Sequence, residues 1–372
     1  MIKLLVSHPD LLEGLNTVAT ALPPRTSLPS LTNILLQTHE DRLDMAATDL
    51  DTTVTTSIPA TITTPGSIAL PGKKLHEIVK ELPGGDVHMS GTGNRVGMNC
   101  EKSSFTLSGS PTDSFPTLPG KSDEQPVVLP IEVLADAINR TSYAVAKDDY
   151  RPALNGALWK MDQEGFEMVA TDGHRLARIF LPGISHQSGV EAIIAPKALR
   201  LLARLAGEGE VEICFQGSQV SFDFGSTTIF SRTIEGPYPP YEKVIPSGND
   251  KGLLIDRDNL VAALRRMRII ANPATHQVRL TLEKDNQSLE AEYAEAGEAH
   301  EKLEGEYDGE PLQIGFNGDF LREILRNMSG ERVLLKMKNS STAVVIEEEE
   351  PDASKEYIAL LMPVKLPSTD EG

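Results

Sequence analysis

The sequence predicts an α+β protein made of three divergent copies of one unit of about 120 residues, each with two helices packed on antiparallel sheet. Two observations predict this: landmarks recur at a fixed offset, and helical periodicity alternates with strand periodicity inside each copy. Met45-Ala46-Ala47-Thr48-Asp49 and Met168-Val169-Ala170-Thr171-Asp172 match over Met-x-Ala-Thr-Asp at an offset of 123. Upstream, Asn33 answers Asn155 at 122. Downstream, Ala69-Leu70-Pro71 answers Ile194-Ala195-Pro196 near 125, and Phe115-Pro116 answers Tyr238-Pro239 at 123. Four landmarks in one order at nearly one offset indicate duplication. The period is too long for a solenoid of short repeats. The last third lacks these identities and is read as a third copy from its element order: a helical stretch after Ile255, a second after Gly315, and a closing strand over 357–362. The domains are therefore placed at 1–125, 126–249 and 250–372.

Each element follows from its pattern. Leu11, Leu15, Val18 and Leu22 are spaced 4, 3, 4, as are Leu260, Leu264, Met267 and Ile270 nearly so, and both series mark amphipathic helices. Helices are expected over 8–21, 71–82, 130–147, 196–206, 256–272 and 317–328, with Pro196 at a first helical turn, where proline is tolerated. Val211 to Phe215 and Val220 to Phe224 alternate around the turn Gln216-Gly217-Ser218, and 333–335 with 342–346 form a similar pair. Strands this close in sequence join as hairpins, so the sheets should be antiparallel.

Composition narrows the class. Aromatics are 5% of the residues, with Trp159 the single tryptophan, so the cores must be aliphatic. Cys100 and Cys214 are two distant cysteines, read as small buried hydrophobes in a reducing cytoplasm. The N-terminal apolar run stops too soon for a signal peptide, and no apolar run approaches the ~20 residues that cross a bilayer, so a soluble protein without membrane contact is expected. The net charge of −19 speaks against nucleic acid until its placement is considered. The six helical segments hold 14 Lys and Arg against 10 Asp and Glu, so they carry +4 and the rest of the chain −23. Arg265 and Arg268 share one helical face, as do Arg200 and Arg204. Mildly basic helices in an acidic chain suggest one surface facing an anion.

Several motifs fail on inspection. Gly91-Thr92-Gly93-Asn94-Arg95-Val96-Gly97 has the wrong spacing for a dinucleotide loop and is followed by strand sequence, so it reads as a hairpin turn. Gly66 to Gly72-Lys73 is one residue too long for a phosphate loop, and Lys74 stands where Ser or Thr is needed. Glu347 to Glu350 reads as a solvated loop, and no Cys/His cluster has metal-ligand spacing. His174 beside Asp172 and Arg175 could serve as a general base in a hydrolase or transferase. No nucleophile completes such a set, and the equivalent Thr48-Asp49-Leu50-Asp51 lacks the histidine. The shared Thr-Asp therefore reads as structural, with something specialised added in the second copy. An acidic scaffold that binds no nucleic acid is another reading.

Thr171-Asp172-Gly173-His174-Arg175-Leu176, Leu154-Asn155-Gly156, Tyr238-Pro239-Pro240-Tyr241 and the terminal Met362-Pro363-Val364-Lys365-Leu366, in this order and on a triplicated chain, resemble the bacterial DNA polymerase III beta subunit family, the replicative sliding clamps. The resemblance spans essentially the whole chain. It implies a non-enzymatic processivity factor without cofactor or metal. It also implies a head-to-tail homodimer whose six units form a ring, helices inward, around duplex DNA. Twelve helices of ~10 Å diameter side by side leave a bore of roughly 28 Å, enough for a hydrated duplex. The resemblance places Phe105 and Leu107 against Ile269 and Ile270 of the other chain. Non-specific phosphate contacts are expected from Arg25 and Arg151, by matching family positions, and from Lys73, Lys74, Lys147, Lys197, Arg200 and Arg204, by helix placement. The loop at Asp149-Tyr150-Arg151-Pro152-Ala153 departs from relatives that place aromatics after the arginine. The polymerase III catalytic subunit, the clamp loader and other partners would insert a short hydrophobic peptide between domains two and three. The matching pocket residues are Leu154, Thr171, Gly173, His174, Arg175, Leu176, Pro239, Lys243, Val244, Met362, Pro363, Val364 and Leu366. Leu154, Leu176 and Val244 could equally be plain core, and the extension 367–372 could shade the pocket mouth.

Overall fold

The computed structural model describes residues 2–122, 124–147, 150–186, 189–204 and 209–366. The element order repeats three times along the chain: strand, helix, strands, helix, strands. The helices are α1 (His8–Ala19), α2 (Gly72–Glu81), α3 (Ile131–Thr141), α4 (Pro196–Arg204), α5 (Arg257–Ile270) and α6 (Gly318–Arg326). The last two residues of the helix expected over 196–206, Asp149 and the extension 367–372 lie outside the described residues.

The contacts group the chain into two units, Met1–Ile131 with Arg200–Thr233, and Glu132–Leu199 with Ile234–Gly372. In the first unit one antiparallel sheet runs Thr61–Thr64, Ile2–Ser7, Asp86–Thr92, Arg95–Cys100, Ser103–Ser108, ending on that last strand as an edge. The Gly91–Gly97 segment is the hairpin its sequence suggests. A second sheet joins Asn33–His39, Arg42–Thr48 and Thr52–Pro59 to Thr227–Ile234, with Ile229 opposite Val54. Ser7 starts α1 by accepting from the Asp10 amide at 3.2 Å. The helix buries Leu11, Leu15 and Val18 at the 4, 3 spacing, and Gly14 permits close approach, since a side chain there would strike Met45 and Ile58.

In the second unit a sheet runs Val190–Ile194, Ala157–Met161, Gly165–Thr171, Arg175–Pro182, Glu356–Leu361, Val344–Glu348, Arg332–Met337, Lys251–Asp256, Gly305–Asp308. A four-stranded sheet orders Gly297–Leu303, Asn286–Tyr293, Gln277–Glu283 and Leu312–Asn317. Its core is aliphatic apart from Phe316 and Tyr307, and α5 and α6 pack over it through Leu260, Leu264, Met267, Leu321 and Leu325. Trp159 is fully buried against the edge of Phe166.

Three expectations are corrected. The helix expected over 130–147 stops at Thr141 and passes into a 3-10 turn, Ser142–Ala144. The Tyr143 carbonyl that would have continued the helix instead accepts from Arg175 Nη2 at 2.7 Å. Cys214 is half-exposed while Cys100 is buried, because the outer face of the Glu210–Gln216 strand is only partly covered. Glu347 to Glu350 is not a free solvated loop: Glu347 pairs with Lys336 at 2.5 Å and Glu349 with Arg332 at 3.3 Å. Glu348 is half-buried, its side chain bound by Arg140 at 3.0 Å and by the Ser329 and Gly330 amides at 2.6 and 3.2 Å.

Arg140 is itself 2% exposed and takes Asp136 as well as Glu348. Burial raises the Glu348 carboxyl, but the amides and the guanidinium outweigh it and hold the group below its ordinary 4.5. Its contribution is therefore present above pH 4.5 and lost as pH falls through the lowered folded value. Glu348→Ala should lower the unfolding free energy by about 3 kcal/mol in urea titrations at pH 7. The variant's stability should also fall less steeply below pH 4.5 than the parent's.

Candidate functional site

The Thr-Asp signature builds a turn between the strands Gly165–Thr171 and Arg175–Pro182. Asp172 Oδ1 accepts from the amides of His174 and Arg175 at 2.9 and 3.0 Å. The Thr171 hydroxyl donates to the Arg175 carbonyl at 2.7 Å and accepts from the Gly173 amide at 3.1 Å. The first copy makes the same turn. Asp49 Oδ1 accepts from Asp51 and Thr52, and the Thr48 hydroxyl binds the Thr52 carbonyl and the Leu50 amide. Gly173 sits at φ +86° and Leu50 at φ +81°, a region that suits glycine and strains leucine. The two copies thus share an architecture, and the second has relaxed its backbone and added a histidine.

Strand pairing then brings the C-terminal segment to this turn. Arg175 faces Leu361 and Leu176 faces Leu360 in an antiparallel ladder. The Met362 amide donates to the His174 carbonyl at 2.8 Å, the Val364 amide to the Gly315 carbonyl at 2.9 Å, and Gln277 holds the Lys365 carbonyl at 3.3 Å. On the other side the Thr171 amide donates to the Tyr238 hydroxyl at 3.1 Å. Tyr241 is buried in an apolar cluster with Leu158, Val169, Leu176, Ile193, Val345 and Leu360.

The pocket residues expected from sequence separate by exposure. Gly173, His174, Pro239, Lys243, Val244 and Met362 are exposed, Val244 and Met362 at 54% and 42%. Thr171, Pro363, Val364 and Leu366 are half-buried. Leu154 and Leu176 belong to the core, whereas Val244 does not. Arg175 is 5% exposed and fully engaged: Nε meets Asp172 at 3.1 Å, Nη1 meets Glu323 at 2.7 Å, and the guanidinium lies over the rings of Phe320 and Tyr143. It braces the turn from beneath. His174 stacks on Phe320 with centroids 6.2 Å apart. Phe320, Glu323 and Tyr143 are not signalled as site residues by the sequence, beyond the place of Phe320 three residues into α6 beside Asn317-Gly318. The Asp172 carboxylate is committed to two amides and Arg175. Among the described residues no group of His, Cys, Asp or Glu could hold a metal.

The candidate phosphate contacts are surface groups. In the first unit Arg25, Lys73, Lys74, Arg200 and Arg204 are exposed. In the second, Lys147 and Arg151 are exposed, Lys197 is half-buried, and Arg151 Nη2 donates to the Asp172 carbonyl at 2.7 Å. Of the four candidate interface residues, Phe105 is 37% and Ile269 is 78% exposed and Ile270 half-buried, but Leu107 is buried at 9%. Ile269 and Ile270 line a cleft of about 610 Å³ with Arg265, Arg268, Pro273 and Tyr293.

The family models for the DNA polymerase III beta subunit match along the chain: N-terminal domain at 2–119, central domain at 128–240, C-terminal domain at 242–364. A beta sliding clamp of Caulobacter vibrioides is 33% identical over 376 residues, covering 98% of this chain and all of the relative. The crystal structure of the DNA polymerase III subunit beta from Pseudomonas aeruginosa superimposes with a TM-score of 0.93 at 32% identity, covering 98% of this chain and all of that one. A sliding clamp from the same organism bound to griselimycin gives 0.92 at 30%, with the same coverage. The chain belongs to the DNA polymerase III beta subunit family. It is a processivity factor of bacterial DNA replication, a sliding clamp and not an enzyme. No helix among the described residues is long and apolar enough to cross a membrane.

The two turns make opposite predictions. Gly173→Leu should cost about 1 kcal/mol, because leucine at φ +86° is strained, whereas Leu50→Gly should lose little or gain stability. Equilibrium unfolding of the two variants checks the sign.

Proposed function

We propose that the chain acts in the cytoplasm as a head-to-tail homodimeric ring of three-domain subunits, divided at 1–125, 126–249 and 250–372. The ring encircles duplex DNA, slides without reading sequence, and tethers the polymerase III catalytic subunit, the clamp loader and other partners through a hydrophobic peptide site. The observation that carries the peptide site is the convergence of the Thr171–Leu176 turn, the Pro239–Val244 rim and the Met362–Leu366 segment, with exposed Val244 and Met362 above buried Leu154 and Leu176. Apolar walls with few polar anchors suit a short peptide. Partners displaying such peptides would compete for it.

The dimer reading draws on two strand edges, Ser103–Ser108 and Gly297–Leu303. Unpaired edges seek strand partners, and Phe105 and Ile269 are among the exposed large apolar side chains. Leu107, two residues on and so on the same face of the strand, would flank Phe105. The DNA reading draws on Arg25, Lys73, Lys74, Lys147, Arg151, Lys197, Arg200 and Arg204 as phosphate contacts, which carry no sequence information and permit sliding. Arg151, which also holds the Asp172 carbonyl, would serve both.

Three measurements test this. The purified protein should elute as a dimer, and a monomer at micromolar concentration would defeat the ring. It should be retained on nicked circular DNA and lost once that DNA is linearised; equal retention on both would defeat encirclement. Removing 362–372 should abolish binding of the polymerase catalytic subunit while the dimer persists, and undiminished binding would refute the site.

A further inference from the structure

The Pro239–Val244 rim is held by a polar cluster that lies outside the peptide site. Tyr241 is 4% exposed, its ring in the apolar cluster and its hydroxyl donating to Glu167 Oε2. Glu167 is itself gripped by Arg178 through its other oxygen. Lys160, on the neighbouring strand, reaches the Tyr241 hydroxyl at 3.3 Å and Glu242 at 3.2 Å, and sits 4.8 Å from the Tyr241 ring centre. Burial and the Glu167 carboxylate push the Tyr241 phenol far above the ordinary tyrosine range, so it keeps its proton and remains a donor. Three residues on, Val244 closes the short 3-10 turn Tyr241–Val244, flanked by long bonds from the Lys243 amide to the Pro240 carbonyl and from the Ile245 amide to the Glu242 carbonyl, at 3.3 and 3.4 Å. Such a turn has little stiffness of its own. Its position is dictated from outside, by Tyr238 on the Thr171 amide at one end and Tyr241 on Glu167 at the other.

We infer that Tyr241 and Glu167 are positioning residues for peptide capture: their hydrogen bond sets where Val244 and Lys243 stand, and so sets the affinity of the site. The inference rests on the peptide-site reading above. Neither residue touches the peptide. Each acts through the rim, by keeping an exposed apolar side chain where a partner's side chain can meet it instead of letting it collapse onto the sheet.

The test uses the full-length protein and immobilised DNA polymerase III catalytic subunit, with binding read by surface plasmon resonance. Tyr241→Phe keeps the ring in the core and removes only the donor. It should weaken binding about tenfold, the effect of one hydrogen bond to a charged group. Hydrogen exchange should accelerate at the Lys243 and Ile245 amides and stay unchanged at the Leu158 amide. Glu167→Ala should behave like Tyr241→Phe, the double variant should be no worse than either, and Glu167→Gln, which retains an acceptor, should bind within about twofold of the parent. Val244→Glu is the control for the site itself and should abolish binding. If Val244→Glu abolishes binding while Tyr241→Phe binds like the parent, the positioning role is wrong and the site stands. If Val244→Glu binds like the parent, the site reading fails first.

Discussion

The antiparallel ladder between the strands Arg175–Pro182 and Glu356–Leu361 is the constraint on which the site depends. It joins segments about 180 residues apart, with Arg175 opposite Leu361 and Leu176 opposite Leu360. Side chains alternate across a strand, and this ladder is buried on both faces, Leu176 and Leu360 in one apolar cluster and Ala359 and Leu361 in another, so a slip of one residue would send each set into the other's core. The apolar cluster of Leu158, Val169, Leu176, Val345 and Leu360 forbids that slip. With the register fixed, the next rung falls at the Met362 amide and the His174 carbonyl. Core packing therefore delivers the C-terminal segment to the turn, and the bonds of Met362, Val364 and Lys365 fasten it there.

What packs beneath the turn is polar. Arg175 ties Asp172, Glu323 and the Tyr143 carbonyl, and Arg140 ties Asp136 and Glu348 under the ring of Tyr357. The Tyr143 and Tyr357 hydroxyls meet at 3.2 Å and connect the two arginines into one network. Desolvating two guanidinium groups is costly, and a buried ion pair seldom adds net stability over apolar packing. Such pairs discriminate strongly among arrangements, however, because a misplaced arginine would be buried without a partner. A junction between middle and last thirds that must present several exposed residues in fixed geometry is well served by that discrimination.

Much of this was legible in the chain. The helices could be placed because their apolar spacing reflects one buried face, as with Leu11, Leu15 and Val18. Hairpins could be placed because their partners are neighbours in sequence. The Thr-Asp turn was legible because it occurs twice, and the hydrogen bonds of Thr48 and Asp49 reproduce those of Thr171 and Asp172. What remained hidden was non-local. Nothing in Tyr143 signals that its carbonyl will be taken by Arg175, so the third helix was drawn too long. Nothing in Glu348 separates it from the carboxylates on either side, yet it alone of the run is bound by a buried arginine and two amides. Arg175 is a pocket residue by motif and a buried brace by geometry.

The broken symmetry between the copies follows from the same physics. Both turns accept the next rung of a ladder, Asp51 from the Arg232 amide and His174 from the Met362 amide, each at 2.8 Å, and the first still carries leucine at φ +81°, with Leu50 50% exposed. The second turn also stacks His174 on Phe320 and receives the Arg151 guanidinium on the Asp172 carbonyl at 2.7 Å, so a side chain at position 173 would have to displace Arg151. One on Gly173 would lie 2.5 Å from Arg151 Nη1. Glycine here relieves the backbone and clears the space at once. The position that differs between the copies is therefore the one against which Arg151 lies in the second turn, beside the histidine that this copy adds and stacks on Phe320.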